Sequence, residues 1–307
     1  MREIKIGTRS SPLSIAQTNI IAEEIHKAWP DVKITLVKIK TSGDKHMLPF
    51  SNNSNGIKGM FTLELEDALM NHEIDFAVHS LKDLPVSMNP SLPIIAYSHR
   101  EDPRDALIMN HGNISGLEDE RLHTEKKIAA YSHNGNVIGT SSLRRKLQLQ
   151  RLYPESRIVS VRGNVNSRIQ KMVDNQYDGL VLAVSGLKRL GLHERITKIF
   201  TIDEIMPAPG QGILACQGRI DDDYSYLECV NDECSRDSAI AERSFSRALN
   251  AGCNVPIGAY AVVHDDMLTL RGLYIDEKTN RFYSGSITGM RCEAESLGER
   301  LSEVIIS

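Results

Sequence analysis

The chain has 307 residues, 41% of them hydrophobic and 25% charged, with a formal net charge of −4. That length exceeds what one hydrophobic core usually serves, so two or three domains are expected, with the composition of an ordinary soluble globular protein. The acidic balance excludes a general attraction to nucleic acid or an anionic membrane, so any basic site has to be local.

The N-terminal M-R-E-I-K-I-G-T has no signal-peptide core, and no run of about 18 apolar residues suggests a membrane span, so a cytoplasmic protein is expected. Residues 3 to 8 predict a strand. A helix follows from Ser10-Ser11-Pro12 to about Ala28, with Ser as N-cap and Pro in the first turn. Arg9 lies at the junction. Ile34 to Lys40 predicts a second strand, Lys45 to Gly59 a mobile Asn/Ser/Gly-rich loop, and Phe61 to about Asn71 a helix. Then comes D-F-A-V-H-S-L-K-D-L-P, residues 75 to 85. Asp75 to His79 reads as a buried strand. The following loop carries His79, Ser80, Lys82 and Asp83 before Pro85 blocks a helix. Polar groups leaving the carboxyl end of a strand mark a site candidate in an open α/β sheet, with Asp83 as the reacting carboxylate. The segment alone also reads as an ordinary strand exit with solvated charges.

A strand near Ile94 to Tyr97 precedes a polar stretch, 110 to 135, that suggests a crossing or a surface insertion. The pattern then restarts: strand Val137 to Thr140, helix Leu143 to Leu152, strand Ile158 to Val161, helix Val165 to Asp174, strand Asp178 to Ser185. I-G-T at Ile6 recurs at Ile138, and Asn71 to Asp75 has a counterpart in Asp174 to Asp178. Two related α/β units facing each other across a cleft are expected. M-P-A-P-G-Q-G suits a hinge or domain crossing. A helix from Ser238 to Asn250, strands over Ala259 to Ile287 with turns at Asp265-Asp266 and Lys278-Thr279-Asn280, and a helix from Glu293 to Ile305 predict a small α+β domain.

The second unit carries the strongest chemical signal. In G-T-S-S-L-R-R-K a glycine turn and hydroxyls open a helix whose free N–H groups favour an anion, and Arg144 and Arg145 add guanidinium forks. V-R-G-N-V-N-S-R repeats the device with Arg162 and Arg168, and Arg189 follows the next strand. With Arg9, six arginines are expected at the ligand-binding sheet edge. No nucleotide-loop motif accompanies them, so several carboxylates on one large ligand fit better than a phosphate, and few aromatics are present to stack nucleic acid. Five cysteines, an odd number, argue against a disulfide framework, and Cys229 and Cys234 lack companions for a metal site. Cys253, in L-N-A-G-C-N-V-P-I-G, sits on a glycine loop past a helix. It reads either as an exposed, positioned thiol or as a small buried hydrophobe.

Together I-G-T-R-S-S-P-L, K-G-M-F-T-L-E-L-E, A-V-H-S-L-K-D-L-P, G-T-S-S-L-R-R, R-G-N-V-N-S-R, P-A-P-G-Q-G and G-C-N-V-P-I-G-A resemble the porphobilinogen deaminase (hydroxymethylbilane synthase) family. The resemblance implies two periplasmic-binding-protein-like lobes plus a small α+β C-terminal domain, divided as 1–100 with 205–228, 101–204 and 229–307. It implies a transferase of heme biosynthesis that joins four porphobilinogens, with loss of ammonia, into hydroxymethylbilane, and the absence of an evident apolar patch motif makes a monomer the expectation. A dipyrromethane primer is implied on Cys253 through a thioether. Asp83 takes the catalytic position. Lys82, Ser11, Ser141, Arg144, Arg145, Arg168 and Arg189 take cofactor-binding positions, and Arg9, Arg162, Phe61 and Lys58 take substrate-binding ones. S-N-S-N-G-I before Lys58 departs from the family's shorter glycine pair with a further lysine. The competing reading is a non-catalytic two-lobed binding protein for a polycarboxylate.

Overall fold

The computed structural model describes residues 3–41, 62–110, 135–249 and 255–306. The segment 45–59 and nearly all of the polar stretch 110–135 lie outside the described residues. The first sheet consists of β1 (Glu3–Arg9), β2 (Lys33–Ile39), β3 (Phe76–Ser80), β4 (Ile94–Tyr97) and β10 (Leu214–Gly218), in the order β2-β1-β3-β10-β4. β1 pairs in parallel with β2 and β3, while β10 runs antiparallel between β3 and β4. Helix α1 (Pro12–Ala28) starts where Ser11 accepts from the Ser14 N–H at 3.1 Å, and α2 (Leu63–Met70) precedes β3.

The second sheet repeats this plan. It contains β5 (Asp105–Met109), β6 (Val137–Gly139), β7 (Arg157–Val159), β8 (Gly179–Ala183) and β9 (Lys198–Ile199), in the order β7-β6-β8-β5-β9. β6 is parallel to β7 and β8, and β5 is antiparallel to β8 and β9. Helices α3 (Leu143–Leu152) and α4 (Val165–Val173) start on the caps Ser142 and Asn164. The sequence echo has a structural cause. Asp75 accepts the Lys5 N–H at 2.6 Å and Asp178 the Val137 N–H at 2.8 Å, so each acid fixes the start of one strand against its neighbour. A Cβ at Gly7 would lie 2.3 Å from Ile74 Cδ1, and one at Gly139 2.7 Å from Leu180 Cδ2, so both I-G-T copies need glycine.

The strand expected over Asp178 to Ser185 stops at Ala183, opposite Asp105 where β5 begins, and the chain turns into the short helix α5 (Val184–Arg189). Arg189 therefore ends a helix rather than a strand. The third unit is a meander of β11 (Ile257–His264), β12 (Met267–Asp276) and β13 (Arg281–Met290) with α6 (Glu233–Ala248) and α7 (Ala294–Ile306). Phe245, Leu268, Leu270, Leu297 and Leu301 form its core. Its two turns place Asp265 and Asn280 at positive φ (52° and 53°), where short polar side chains are tolerated. α6 starts before the expected Ser238, because Asp232 accepts from the Ser235 N–H at 2.7 Å and caps it. The expected architecture, two α/β lobes and a small α+β unit, is the one observed.

One buried carboxylate joins the three units. Glu242 on α6 accepts Arg100 Nη1 and Nη2 at 2.6 and 3.2 Å, the Gly210 N–H at 2.7 Å and the Ala261 N–H at 2.7 Å. Arg100 lies on the crossing from β4 to β5, and Gly210 on the return to β10. No helix among the described residues is long and apolar enough to cross a membrane.

Candidate active site

β3 ends at Ser80 and leads into one turn of 3-10 helix, Leu81–Asp83. The Leu81 N–H donates to Ile213 O at 3.0 Å, and the Leu84 N–H closes the turn on Leu81 O at 3.1 Å. Leu81 and Leu84 are buried, which leaves Lys82 half-buried and Asp83 exposed. Asp83 lines a hollow with Arg9, Gln17, Thr62, His79 and Ser80. Arg9 comes from the end of β1. Gln17, from α1, donates to Ser80 Oγ at 2.7 Å. Burial lowers the His79 imidazole to about 4, with Arg9 adding to the effect and the Gln217 side chain opposing it.

The second lobe meets this exit from the other side. Lys82 Nζ donates to Gln211 Oε1 at 3.2 Å, and Gln211 Nε2 donates to Asp105 Oδ1 at 2.8 Å and to Pro103 O at 2.6 Å. Asp105, fully buried, accepts Arg145 Nη2 at 2.7 Å and pairs with Arg144 Nη1 at 2.9 Å. Burial alone would raise the Asp105 carboxyl, but the two arginines hold it well below the usual carboxylate range. Burial lowers the Lys82 ammonium to about 8, reinforced by Arg145 and only partly offset by Asp83 and Asp105. Burial also lowers the Arg168 guanidinium, with Arg145 reinforcing and Asp83 opposing, so Arg168 lies within electrostatic reach of Asp83.

The structure thus brings together Arg9, Lys82, Asp83, Arg144, Arg145 and Arg168. The six arginines expected at a free edge are not alike, because Asp105 engages two of them in the interior. Arg189 donates to Gly212 O at 2.6 Å on the return segment, where burial lowers its guanidinium to about 10 and Glu101 opposes. Ser11 serves as the α1 cap, Ser141 Oγ donates to Val161 O, and Arg162 is exposed after β7. Lys58, Phe61 and Cys253 lie outside the described residues. Asp105 and Gln211 are the polar residues that sequence reasoning missed. Their only local signals were an acid opening an apolar strand and a glutamine inside P-G-Q-G.

Four cations, Lys82, Arg144, Arg145 and Arg168, face two carboxylates, Asp83 and Asp105. Two like lobes with an exposed carboxylate among such charges define a two-lobed α/β protein with a charged site where the lobes meet. Residues 4–226 match the model of "Porphobilinogen deaminase, dipyromethane cofactor binding domain", and residues 237–307 match "Porphobilinogen deaminase, C-terminal domain". Porphobilinogen deaminase of Acetivibrio thermocellus is 42% identical over 300 residues, covering 98% of this chain and 97% of that one. The enzyme of Ruminiclostridium josui is 40% identical over 301 residues, with the same coverage. Among solved structures, the BenM effector-binding domain with benzoate has a TM-score of 0.42 at 12% identity, covering 75% of this chain and 88% of that one. The chain belongs to the porphobilinogen deaminase family, transferases of tetrapyrrole biosynthesis.

Proposed function

We propose that this chain joins four porphobilinogens head to tail, with loss of ammonia, into hydroxymethylbilane, using Asp83 as its catalytic carboxylate. The observation that carries the assignment to Asp83 is its place: exposed at the end of β3, in the hollow with Arg9 and within reach of Lys82 and Arg168. The donor set fits a linked pair of pyrroles bearing acetate and propionate chains. The cations exceed the acids, and Lys82, whose ammonium is lowered mainly by burial and then by Arg145, donates to the neutral Gln211 side chain. Attached through Cys253, the dipyrromethane would supply the free pyrrole carbon that accepts the first porphobilinogen, and each later unit would add to the end of the chain so begun. Lys82, Ser11, Ser141, Arg144, Arg145, Arg168 and Arg189 would hold its side chains. Arg9, Arg162, Lys58 and Phe61 would hold the substrate.

Asp83 accepts hydrogen bonds from pyrrole N–H groups and stabilises positive charge that develops as ammonia leaves. At about 4 Å and an effective dielectric near 20, that attraction is worth roughly 4 kcal/mol, or about a thousandfold in rate if it develops only in the transition state. Asp83→Asn should fold, carry the primer and lose about that much turnover, and Asp83→Glu should keep part of it. The test is peptide mass at Cys253 followed by steady-state kinetics. Wild-type turnover in Asp83→Asn would sink the assignment, and a Cys253 that stays unmodified with porphobilinogen would favour a polycarboxylate-binding protein. A cytoplasmic monomer divided as 1–100 with 205–228, 101–204 and 229–307 completes the reading. The pairing of β10 with the first sheet supports the first of those units.

A further inference from the structure

The backbone that leaves Asp83 is held from outside its own lobe. Leu81 and Leu84 pack with Ile213, Ala215 and Ala239, the last of these on α6 of the third unit. One turn further along α6, on the same face, Arg243 reaches the next stretch of chain. Its Nη1 donates to Leu84 O at 3.4 Å, and its Nη2 donates to Pro85 O at 2.7 Å and Val86 O at 3.3 Å. A guanidinium on three consecutive carbonyls makes a clamp whose fork geometry an ammonium cannot copy. The titratable groups that act on Arg243 are Tyr97 and Arg247, neither of them a carboxylate. Among the described residues its hydrogen bonds go to this backbone, so its orientation is set by the turn after Asp83 and by α6.

We infer that Arg243 is a positioning residue for the reaction, clamping the chain beyond Asp83 onto the helix of the third unit so that the carboxylate holds one position through turnover. The inference rests on the role proposed for Asp83. A displacement of about 1 Å in a reacting group can cost about a hundredfold in rate, whereas substrate held by the arginines and lysine across the cleft would be little affected. Loss of the clamp therefore acts on kcat more than on KM.

The test uses primed wild-type enzyme, Asp83→Asn, Arg243→Lys, Arg243→Ala and the control Arg247→Ala, whose exposed side chain pairs with Glu295. Arg243→Lys and Arg243→Ala are expected to lose about ten- to a hundredfold in kcat with KM for porphobilinogen within about threefold. Millimolar guanidinium is expected to restore part of the Arg243→Ala rate, and amide exchange over residues 81–88 to quicken in both primed and unprimed protein. Arg247→Ala should match wild type. Wild-type kcat in Arg243→Lys, or a loss that follows only the unfolded fraction and is not rescued by guanidinium, overturns the inference while leaving Asp83 in place. Wild-type turnover in Asp83→Asn overturns the assignment of Asp83, and this inference with it.

Discussion

His79 and Lys82 flank the same strand exit, and burial lowers the pKa of both, yet the outcomes differ because their ordinary values differ. A histidine lowered to about 4 is neutral at pH 7, while a lysine lowered to about 8 keeps most of its charge. The site thus retains an ammonium for carboxylates and places an uncharged imidazole beside Arg9. The histidine has a consequence for stability. Unfolded His79 titrates near 6.5, so between that pH and about 4 the unfolded chain binds more protons than the native one, and stability rises with pH across the window. It is fully regained above about 6.5 and lost as pH falls toward 4, by roughly 3 kcal/mol in total. Denaturant unfolding between pH 4.5 and 7.5 should show a steeper acid-side loss in wild type than in His79→Gln, and parallel curves would refute the linkage. Asp83, Arg9 and Arg168 were legible from the sequence because local grammar places them at strand exits and first helical turns. Asp105 was not, because its partners, Arg144 and Arg145, lie on a different element and nothing local announces a buried pair.

Among the elements, α6 carries more of the assembly than its sequence pattern suggests. Its apolar stripe builds the third core through Ala241 and Phe245, and its polar residues Glu242 and Arg243 reach the crossing segments and the Asp83 turn. A helical period reveals a face that is buried, but not that a carboxylate on it will meet Arg100 and two backbone N–H groups. The repeat of I-G-T and of the acid before the third strand was readable, since close packing and a strand-start hydrogen bond impose the same residues twice. Removing the Glu242 carboxylate leaves the Arg100 guanidinium and the N–H groups of Gly210 and Ala261 short of an acceptor, and losing one partner of a buried pair costs about 3–5 kcal/mol. Glu242→Ala should lower the midpoint of denaturant unfolding accordingly, and Glu242→Gln, which keeps an acceptor, should lose less. Equal midpoints for Glu242→Ala and wild type would show that the hub does not hold the units together.

At the scale of the molecule, the two lobes share a topology but not a chain economy. All five strands of the second sheet, and the cores built on Leu107, Ile138, Val181 and Phe200 and on Ala106, Leu180 and Leu187, come from residues 105–205. Its buried ion pairs lie in that span too, since Asp105, Arg144 and Arg145 all belong to it, with Gln211 of the return adding one hydrogen bond to Asp105. The first sheet instead borrows β10 from beyond the second lobe, and its core draws Leu214, Cys216, Tyr226, Leu227 and Val230 from the same return. Without β10, β4 loses its only ladder partner among the described residues and β3 becomes an edge. A fragment of residues 104–206 should therefore unfold cooperatively on its own. A fragment of residues 1–103 should not, and joining residues 212–230 to it through a short Gly/Ser linker should restore a cooperative transition. Thermal circular dichroism and amide dispersion would read all three. Cooperative unfolding of 1–103 alone would mean that the borrowed strand completes the first lobe without determining it, and the first sheet would then have to draw its stability from β1, β2 and β3 packed on α1.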